Sequence, residues 1–308
     1  MKRICLFAGY DGKGIIEDYV LYYLQELSKV SDVYYLADNE VKQQELEKII
    51  PYVKGAYGYH HGKYDFGSWQ ELINILGWDK LSEYDELILA NDSVCGPLYK
   101  MDDFIYEVEK DIEWDICGID RAYNQEMKIY FLSNYFLIFR NKTFLTDIFK
   151  NHINNTIKNA GRNDIINTYE VPFMQKFYSN GYIVKSVLSQ DVNVYDQWLE
   201  AVKSGSPFIK IKGLLGNNTK ISDIIYINKN YDYPLKLIKK LIIKRITKNI
   251  RQNLIRFHIG KGKTNIKILG INIIRHENIN NTPIDEAACP IKKINNYNKP
   301  LNNMAVKI

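Results

Sequence analysis

Over the first 130 residues, short apolar runs alternate with segments whose apolar residues recur every three or four positions. Such alternation predicts strands and helices in turn, hence an α/β fold with a mainly parallel sheet flanked by helices. KRICLFAG, SDVYYLAD, YVKGAYGYH, ELILAND and WDICGID are expected strands; GIIEDYVLYYLQELSKV, EVKQQELEKII, SWQELINILGW and MDDFIYEVEKDI are expected helices. From Ile129 the pattern changes. KIYFLSNYFLIFR is expected as one long apolar strand, KTFLTDIFKNHIN as a helix, YEVPFMQKFYSNG as a helix ended by Gly181, and YIVKSVLS as a strand. These segments look like the second half of the same domain.

Around Asn217 the composition shifts toward Asn, Lys and Ile. Leu235, Ile238, Leu241, Ile242, Ile246, Ile250, Leu254 and Phe257 approximate one face of a helix, with Lys and Arg on the other, so a basic amphipathic helix is expected from Leu235 to Lys263. TNIKILGINIIR follows as an expected hairpin. The organisation predicted is an α/β domain over residues 1–216, a basic helical appendage over 217–277 and a poorly ordered tail over 278–308.

A chain of 308 residues with 46% hydrophobic content can bury a full α/β core. The apolar run before Gly9 and Tyr10 is too short for a signal-peptide core, and no uncharged apolar stretch approaches the roughly 20 residues of a spanning helix. Cys5, Cys95, Cys117 and Cys289 form no CxxC pair, which fits a reducing cytoplasm. Although the formal charge is only +5, no Asp or Glu occurs between Asp232 and Glu277.

The stretch from Gly62 to Leu98 is the richest in candidate chemistry. A Gly-punctuated turn carrying Asp65 opens a helix, and the apolar strand ELILA then ends in Asn91, Asp92 and Ser93. In open α/β sheets ligands bind beyond the carboxyl ends of the strands, where Asp92 stands. A carboxylate there can hold Mg²⁺ or Mn²⁺ against a diphosphate, or merely close a turn through an Asx bond. Asp65 is a candidate ligand of base or ribose, with Gly62 and Gly67 allowing close backbone approach, or an N-cap for a helix beginning near Ser68. Asp11, among Gly9, Gly12 and Gly14, follows the first strand and points to the same crevice, or simply makes a tight turn. No dinucleotide fingerprint, P-loop, zinc pattern or GxSxG elbow is present. His60 and His61 are candidates for phosphate contact, and Trp69 and Trp78 are expected to pack their helix against the sheet. Some of the 24 tyrosines could stack on sugar or base.

The segments GYDGKGIIEDYVLYYLQEL, YDFGSWQ, YDELILANDSVCGPL, SNYFLIFR, YEVPFMQKFYSNGY and GSPFIK occur in an order that resembles the rhamnan-synthesis F-type family of bacterial glycosyltransferases. The resemblance spans about residues 1 to 216. It implies a GT-A-like fold, with Asn91-Asp92-Ser93 in place of the metal-binding DxD motif and only one carboxylate where that motif has two. It further implies Tyr64 to Trp69 beside the nucleotide, so that Asp11, Tyr64, Asp65, Gly67, Asn91, Asp92 and Ser93 form the nucleotide-sugar set and Asp92 the metal ligand. Glu170 falls where such enzymes present a carboxylate near the acceptor, the general base that an inverting transfer needs. By its position Glu170 is equally a routine first-turn acid. Asp115 and Asp120 flank WDICGID, and Asp120 is a second candidate base.

The implied activity is transfer of rhamnose, or another hexose or deoxyhexose, from a nucleotide diphosphate sugar to a lipid-linked polysaccharide acceptor, with a divalent cation. The alternative is a non-catalytic polysaccharide-assembly subunit that retains the fold. A basic amphipathic helix suits an anionic membrane surface at the cytoplasmic face, or packs across the catalytic domain with its charges in water. No nucleic-acid partner is expected, because no nucleic-acid motif accompanies the charge.

Overall fold

The computed structural model describes residues 1–110, 113–156, 166–189, 191–260, 263–268, 271–277 and 305–307. They fall into two compact units, one of residues 1–237 with the strand at 305–307, the other within 238–302. In the first unit the strands are β1 (Arg3–Gly9), β2 (Asp32–Ala37), β3 (Gly55–Gly58), β4 (Glu86–Asn91), β5 (Val94–Cys95), β6 (Ile116–Gly118), β7 (Arg121–Asn124), β8 (Ile129–Leu132), β9 (Phe136–Arg140), β10 (Val184–Ser186) and β11 (Ile209–Lys210). The second unit carries β12 (Ile255–Gly260), β13 (Lys263–Ile268) and β14 (Ile271–Glu277), an antiparallel three-stranded sheet; β15 (Ala305–Lys307) belongs to the first.

The central sheet runs β10-β6-β9-β4-β1-β2-β3-β15. Strands β3, β2, β1 and β4 pair in parallel, as do β6 and β10, whereas β9 runs antiparallel between β4 and β6. The α/β class and the mainly parallel sheet are therefore those expected from sequence. Alternation of side chains along each strand sorts the core into two layers. Cys5 and Phe7 of β1, Ile88 and Ala90 of β4, and Phe136 and Ile138 of β9 face one layer, with Tyr23, Leu24 and Leu27 of the helix Asp18–Leu27 and Phe104 and Val108 of the helix Met101–Lys110. Ile4, Leu6, Leu87, Leu89, Leu137 and Phe139 face the other, beneath Phe66, Trp69 and Leu72 of the helix Tyr64–Leu76 and Phe149, Phe173 and Phe177 of two later helices. With both faces covered, β4 is buried at every position, as a central parallel strand must be.

Several elements differ from expectation. The apolar run from Ile129 is two strands: β8 pairs only with β7 in a separate ribbon, while β9 enters the sheet. Ser133 and Asn134 break the run because their polar groups serve buried carboxylates, as described below. The helix expected from Glu40 shrinks to Gln43–Glu47, followed by a 3₁₀ turn, Ile50–Tyr52, that accommodates Pro51. The basic helix ends at Leu254. Beyond it Ile255, Phe257 and Ile259 alternate with Arg256 and His258, a period of two that favours strand β12 over a continued helix. The expected hairpin is β13 and β14. Cys5, Cys95 and Cys117 are buried free thiols, and Cys289 lies outside the described residues. No described helix is long and apolar enough to cross a membrane.

At the amino end of β4, Glu86 is 1% exposed and receives Arg3 Nε at 2.7 Å and Arg140 Nη1 at 2.5 Å. Arg3 and Arg140 are its register partners on β1 and β9, so the cluster ties the three central strands. Removing one member of a buried ion cluster leaves its counter-charges uncompensated. Glu86→Gln should therefore lower unfolding free energy by about 3 kcal/mol in a urea titration; a loss below about 0.5 kcal/mol would show that the cluster is dispensable.

Candidate active site

Three loops leave the carboxyl ends of β1, β2 and β4 on one edge of the sheet, carrying Tyr10, Asp38 and Asn91 to Ser93. Because β9 is antiparallel, the turn before it, Ser133–Tyr135, reaches the same edge, with Ala90 paired to Phe136. Two cavities open there. One, of about 330 Å³, is lined by Tyr19, Tyr64, Asp65, Asn91, Asp92, Ser93, Asn134, Glu170, Tyr195, Lys210, Ile211 and Lys212. The other, of about 550 Å³, is lined by Gly9, Tyr10, Asp38, His60, Gly62, Tyr64, Asp65 and Asp92. Tyr64, Asp65 and Asp92 belong to both walls, so the cavities are two halves of one cleft.

Asp38 builds the larger half. Its Oδ1 accepts from the backbone N–H of His61 and of Gly62, both at 2.8 Å, and its Oδ2 from the N–H of Tyr64 at 3.2 Å. These bonds hold Tyr64 at φ 56°, a left-handed conformation uncommon for a bulky residue, at the first position of its helix. Asp65 consequently lies in the first turn rather than at the N-cap. Gly67 lines neither cavity. A Cβ on it would stand 2.1 Å from Lys63 Cβ and 2.8 Å from the His61 ring, so its smallness serves packing beneath the loop. His61 is buried, shares a 3.0 Å contact between Nε2 and Ser68 Oγ, and is held below the usual histidine range by desolvation. His60 is the exposed one and lines the cavity. Trp69 packs as expected, fully buried with its indole N–H donating to Ala90 O at 3.2 Å.

Asn91 organises the smaller half. Its Nδ2 donates to Asp65 Oδ2 at 2.7 Å, and its Oδ1 accepts from Ser93 N at 3.1 Å and Ser93 Oγ at 2.6 Å. Lys210 Nζ in turn donates to Ser93 Oγ at 2.9 Å. Four residues from two distant parts of the chain are thus joined by one run of hydrogen bonds. An aspartate at position 91 would put two carboxylates in contact with no donor between them. The single-carboxylate form of the motif follows from this neighbour.

Asp92 accepts from Tyr10 N–H at 2.7 Å through Oδ2, and the Tyr19 hydroxyl donates to its carbonyl at 2.9 Å. Desolvation, with the nearby charges of Asp65 and Asp11, lifts its carboxyl to about 7 against the Tyr10 hydrogen bond. Glu170 is likewise lifted to about 7 by desolvation, opposed by Lys210 and by Asn134 N–H, which donates to Glu170 Oε1 at 3.2 Å. Asp120 lies behind the wall, 2% exposed. Ser133 Oγ donates to its Oδ2 at 2.8 Å, its Oδ1 meets no partner of hydrogen-bonding geometry although the Tyr135 hydroxyl stands near, and burial raises its pKa. Asp11 accepts from Lys13 N–H at 2.8 Å in its own turn and lines neither cavity. Asp115 binds Ile183 N–H at 2.8 Å and pairs with Lys142, a strand-end contact.

Asp92 and its neighbours suit a hard divalent cation, since all offer oxygen and their mutual repulsion would be relieved by positive charge. Among the described residues no group of three His, Cys, Asp or Glu is positioned to hold an ion alone. Asp92 therefore fits as the protein anchor of an ion completed by diphosphate oxygens and water. Asp38, Asn134 and Lys210 were not singled out from sequence. Asp38 ends β2 as Asp92 ends β4, which was a usable signal. Lys210 closes GSPFIK, one of the segments that carry the resemblance, but this gave it no role, because its place follows from the pairing of β11 with β5, Lys210 opposite Val94, across more than a hundred residues.

Among solved structures, the glycosyltransferase GlyE of Streptococcus pneumoniae TIGR4 is similar at 10% identity and TM-score 0.45, over 80% of this chain and 64% of that one. The chain thus spans less than two thirds of GlyE. The mannosyltransferase PcManGT of Pyrobaculum calidifontis, solved with GDP-Man and Mn²⁺, is similar at 8% identity and TM-score 0.40, over 79% and 68% of the two chains. No curated protein matches the sequence. The family model for rhamnan synthesis protein F matches residues 33–276, most of the chain and all of the cleft except the β1 loop and Tyr19. On that match the chain belongs to the rhamnan synthesis protein F family.

Proposed function

We propose that this chain transfers a sugar from a nucleotide diphosphate donor to a hydroxyl of a saccharide acceptor. The observation that carries the reading is the cleft itself. Asp92 and Glu170 line one cavity, and a second, larger cavity opens from it past Tyr64 and Asp65. The larger half takes the nucleoside, and the smaller half takes the diphosphate, the sugar and the attacking hydroxyl. A Mg²⁺ or Mn²⁺ held by Asp92 supplies positive charge to the diphosphate. Glu170 accepts the proton of the acceptor hydroxyl as its oxygen bonds to the anomeric carbon and the bond to the diphosphate breaks, a displacement that inverts that carbon. Asn134 N–H keeps the Glu170 carboxylate aimed, and Tyr64 and Asp65 separate the two halves.

The family's rhamnan chemistry makes rhamnose on dTDP the leading donor and a lipid-linked glycan the leading acceptor. Work at the inner face of the plasma membrane suits the helix Leu235–Leu254, where Lys236, Lys239, Lys240 and Lys244 are exposed with Ile243 and Ile246.

A ligand that binds only the folded state raises its melting temperature. One class among dTDP-, UDP- and GDP-sugars should stabilise the protein in the presence of Mn²⁺, and Asp92→Ala should abolish the shift; no shift with any donor would remove the transferase reading and favour a non-catalytic assembly subunit. Glu170→Gln should retain donor binding and lose about 10²- to 10⁴-fold in kcat. Since only the ionised base accepts a proton and the Glu170 carboxyl titrates at about 7, wild-type transfer should fall at least about tenfold per unit below that pH; a flat profile from pH 5 to 7 would exclude this base. The full chain should cosediment with anionic vesicles at low salt and be released at high salt; failure to cosediment where an unrelated basic helix does so would remove the membrane component.

A further inference from the structure

Lys210 is the buried charge that the transfer chemistry above leaves without a task. It is 7% exposed, and its Nζ is fixed by Ser93 Oγ and by the rings of Tyr135 and Tyr195, whose centroids lie 4.2 Å and 5.6 Å away. The Ser93 hydroxyl accepts its hydrogen bond, and the charges of Glu170, Asp120 and Asp65 act on it through space. Burying an ammonium is costly, and here the cost shows as a pKa drawn down to about 8 by desolvation, against the pull of Glu170, Asp120 and Asp65. Proteins keep such a group where an anion completes it.

The chain clamps this lysine to the loop that carries Asp92. β11 pairs with β5, and Ile211 N–H donates to Ser93 O at 3.1 Å, so position 210 cannot shift without moving Ser93. Lys212 lines the same cavity, adding a second cation to the wall facing Asp65, Asp92 and Glu170.

We propose that Lys210 binds the diphosphate of the donor and stabilises it as it leaves. The assignment rests on the donor reading and deepens it. When the bond between the anomeric carbon and the diphosphate oxygen breaks, the electron pair stays on that oxygen while the acceptor proton goes to Glu170. The Lys210 ammonium donates a charge-assisted hydrogen bond to the diphosphate and meets the growing charge, while a cation held by Asp92 would supply further positive charge. A lysine thereby takes over part of the charge neutralisation that a second motif carboxylate would otherwise recruit through the metal.

The test is titration calorimetry of the full chain with dTDP, UDP and GDP and with the matching monophosphates, in the presence of Mn²⁺, on wild type, Lys210→Gln and Lys210→Arg. The diphosphate that binds wild type should weaken about 10- to 100-fold in Lys210→Gln, its monophosphate less than about threefold, and Lys210→Arg should recover part of the loss. Because the buried ammonium destabilises the empty protein, the melting temperature of Lys210→Gln without ligand should equal or exceed that of wild type. Unchanged diphosphate affinity in Lys210→Gln overturns the assignment, as does a uniform loss for both ligands or a lowered melting temperature, either of which marks a structural lysine. If no nucleotide binds wild type, the donor reading fails and the assignment falls with it.

Discussion

The side-chain amide of Asn91 is the contact on which the rest of the cleft depends. It is 2% exposed, it is the last residue of β4, and it bonds to both the helix carrying Asp65 and the turn carrying Ser93. An amide has a donor end and an acceptor end, so one residue can satisfy a carboxylate on one side and a hydroxyl on the other. Through Ser93 the same polarity passes to Lys210. Burial makes this run of bonds strong when complete and expensive when broken, which fixes its direction: acid at one end, ammonium at the other.

The parallel core explains why these residues can be held so closely. Two dry layers on either face of the sheet leave the strands no freedom to slide, and the buried Glu86 cluster locks β1, β4 and β9 at their far ends. The polar loops of the cleft lie at the opposite edge. The local strain at Tyr64 and the interrupted run before β9 both occur there, and both are held by hydrogen bonds to carboxylates, Asp38 in the first case, Asp120 and Glu170 in the second.

The class of fold, the order of strands and helices and the loop after β4 were legible because each rests on local periodicity. Glu170, placed through the resemblance of YEVPF to the family, lines the cleft, and Trp69 packs its helix against the sheet. The break at Ser133 was not legible, since an apolar run interrupted by two polar residues reads as one strand unless the buried acids they serve are known. The roles of Gly67 and Asp11 were also hidden, because close approach to a neighbouring loop and close approach to a ligand ask for the same residue. Lys210 is the extreme case: a lysine in a short segment reads as surface until the pairing of two two-residue strands puts it indoors.

One consequence follows from where the two cavity walls lie along the chain. Every residue lining the larger half precedes Ser93, whereas the smaller half adds Asn134, Glu170, Tyr195 and the segment from Lys210 to Lys212. The gene therefore writes the larger side wholly upstream and completes the smaller one only after a stretch between residues 94 and 133 that lines neither. Divergence or recombination downstream of that stretch can alter what meets the reacting centre while the upstream wall is inherited intact, so the architecture lets one side of recognition evolve without renegotiating the other.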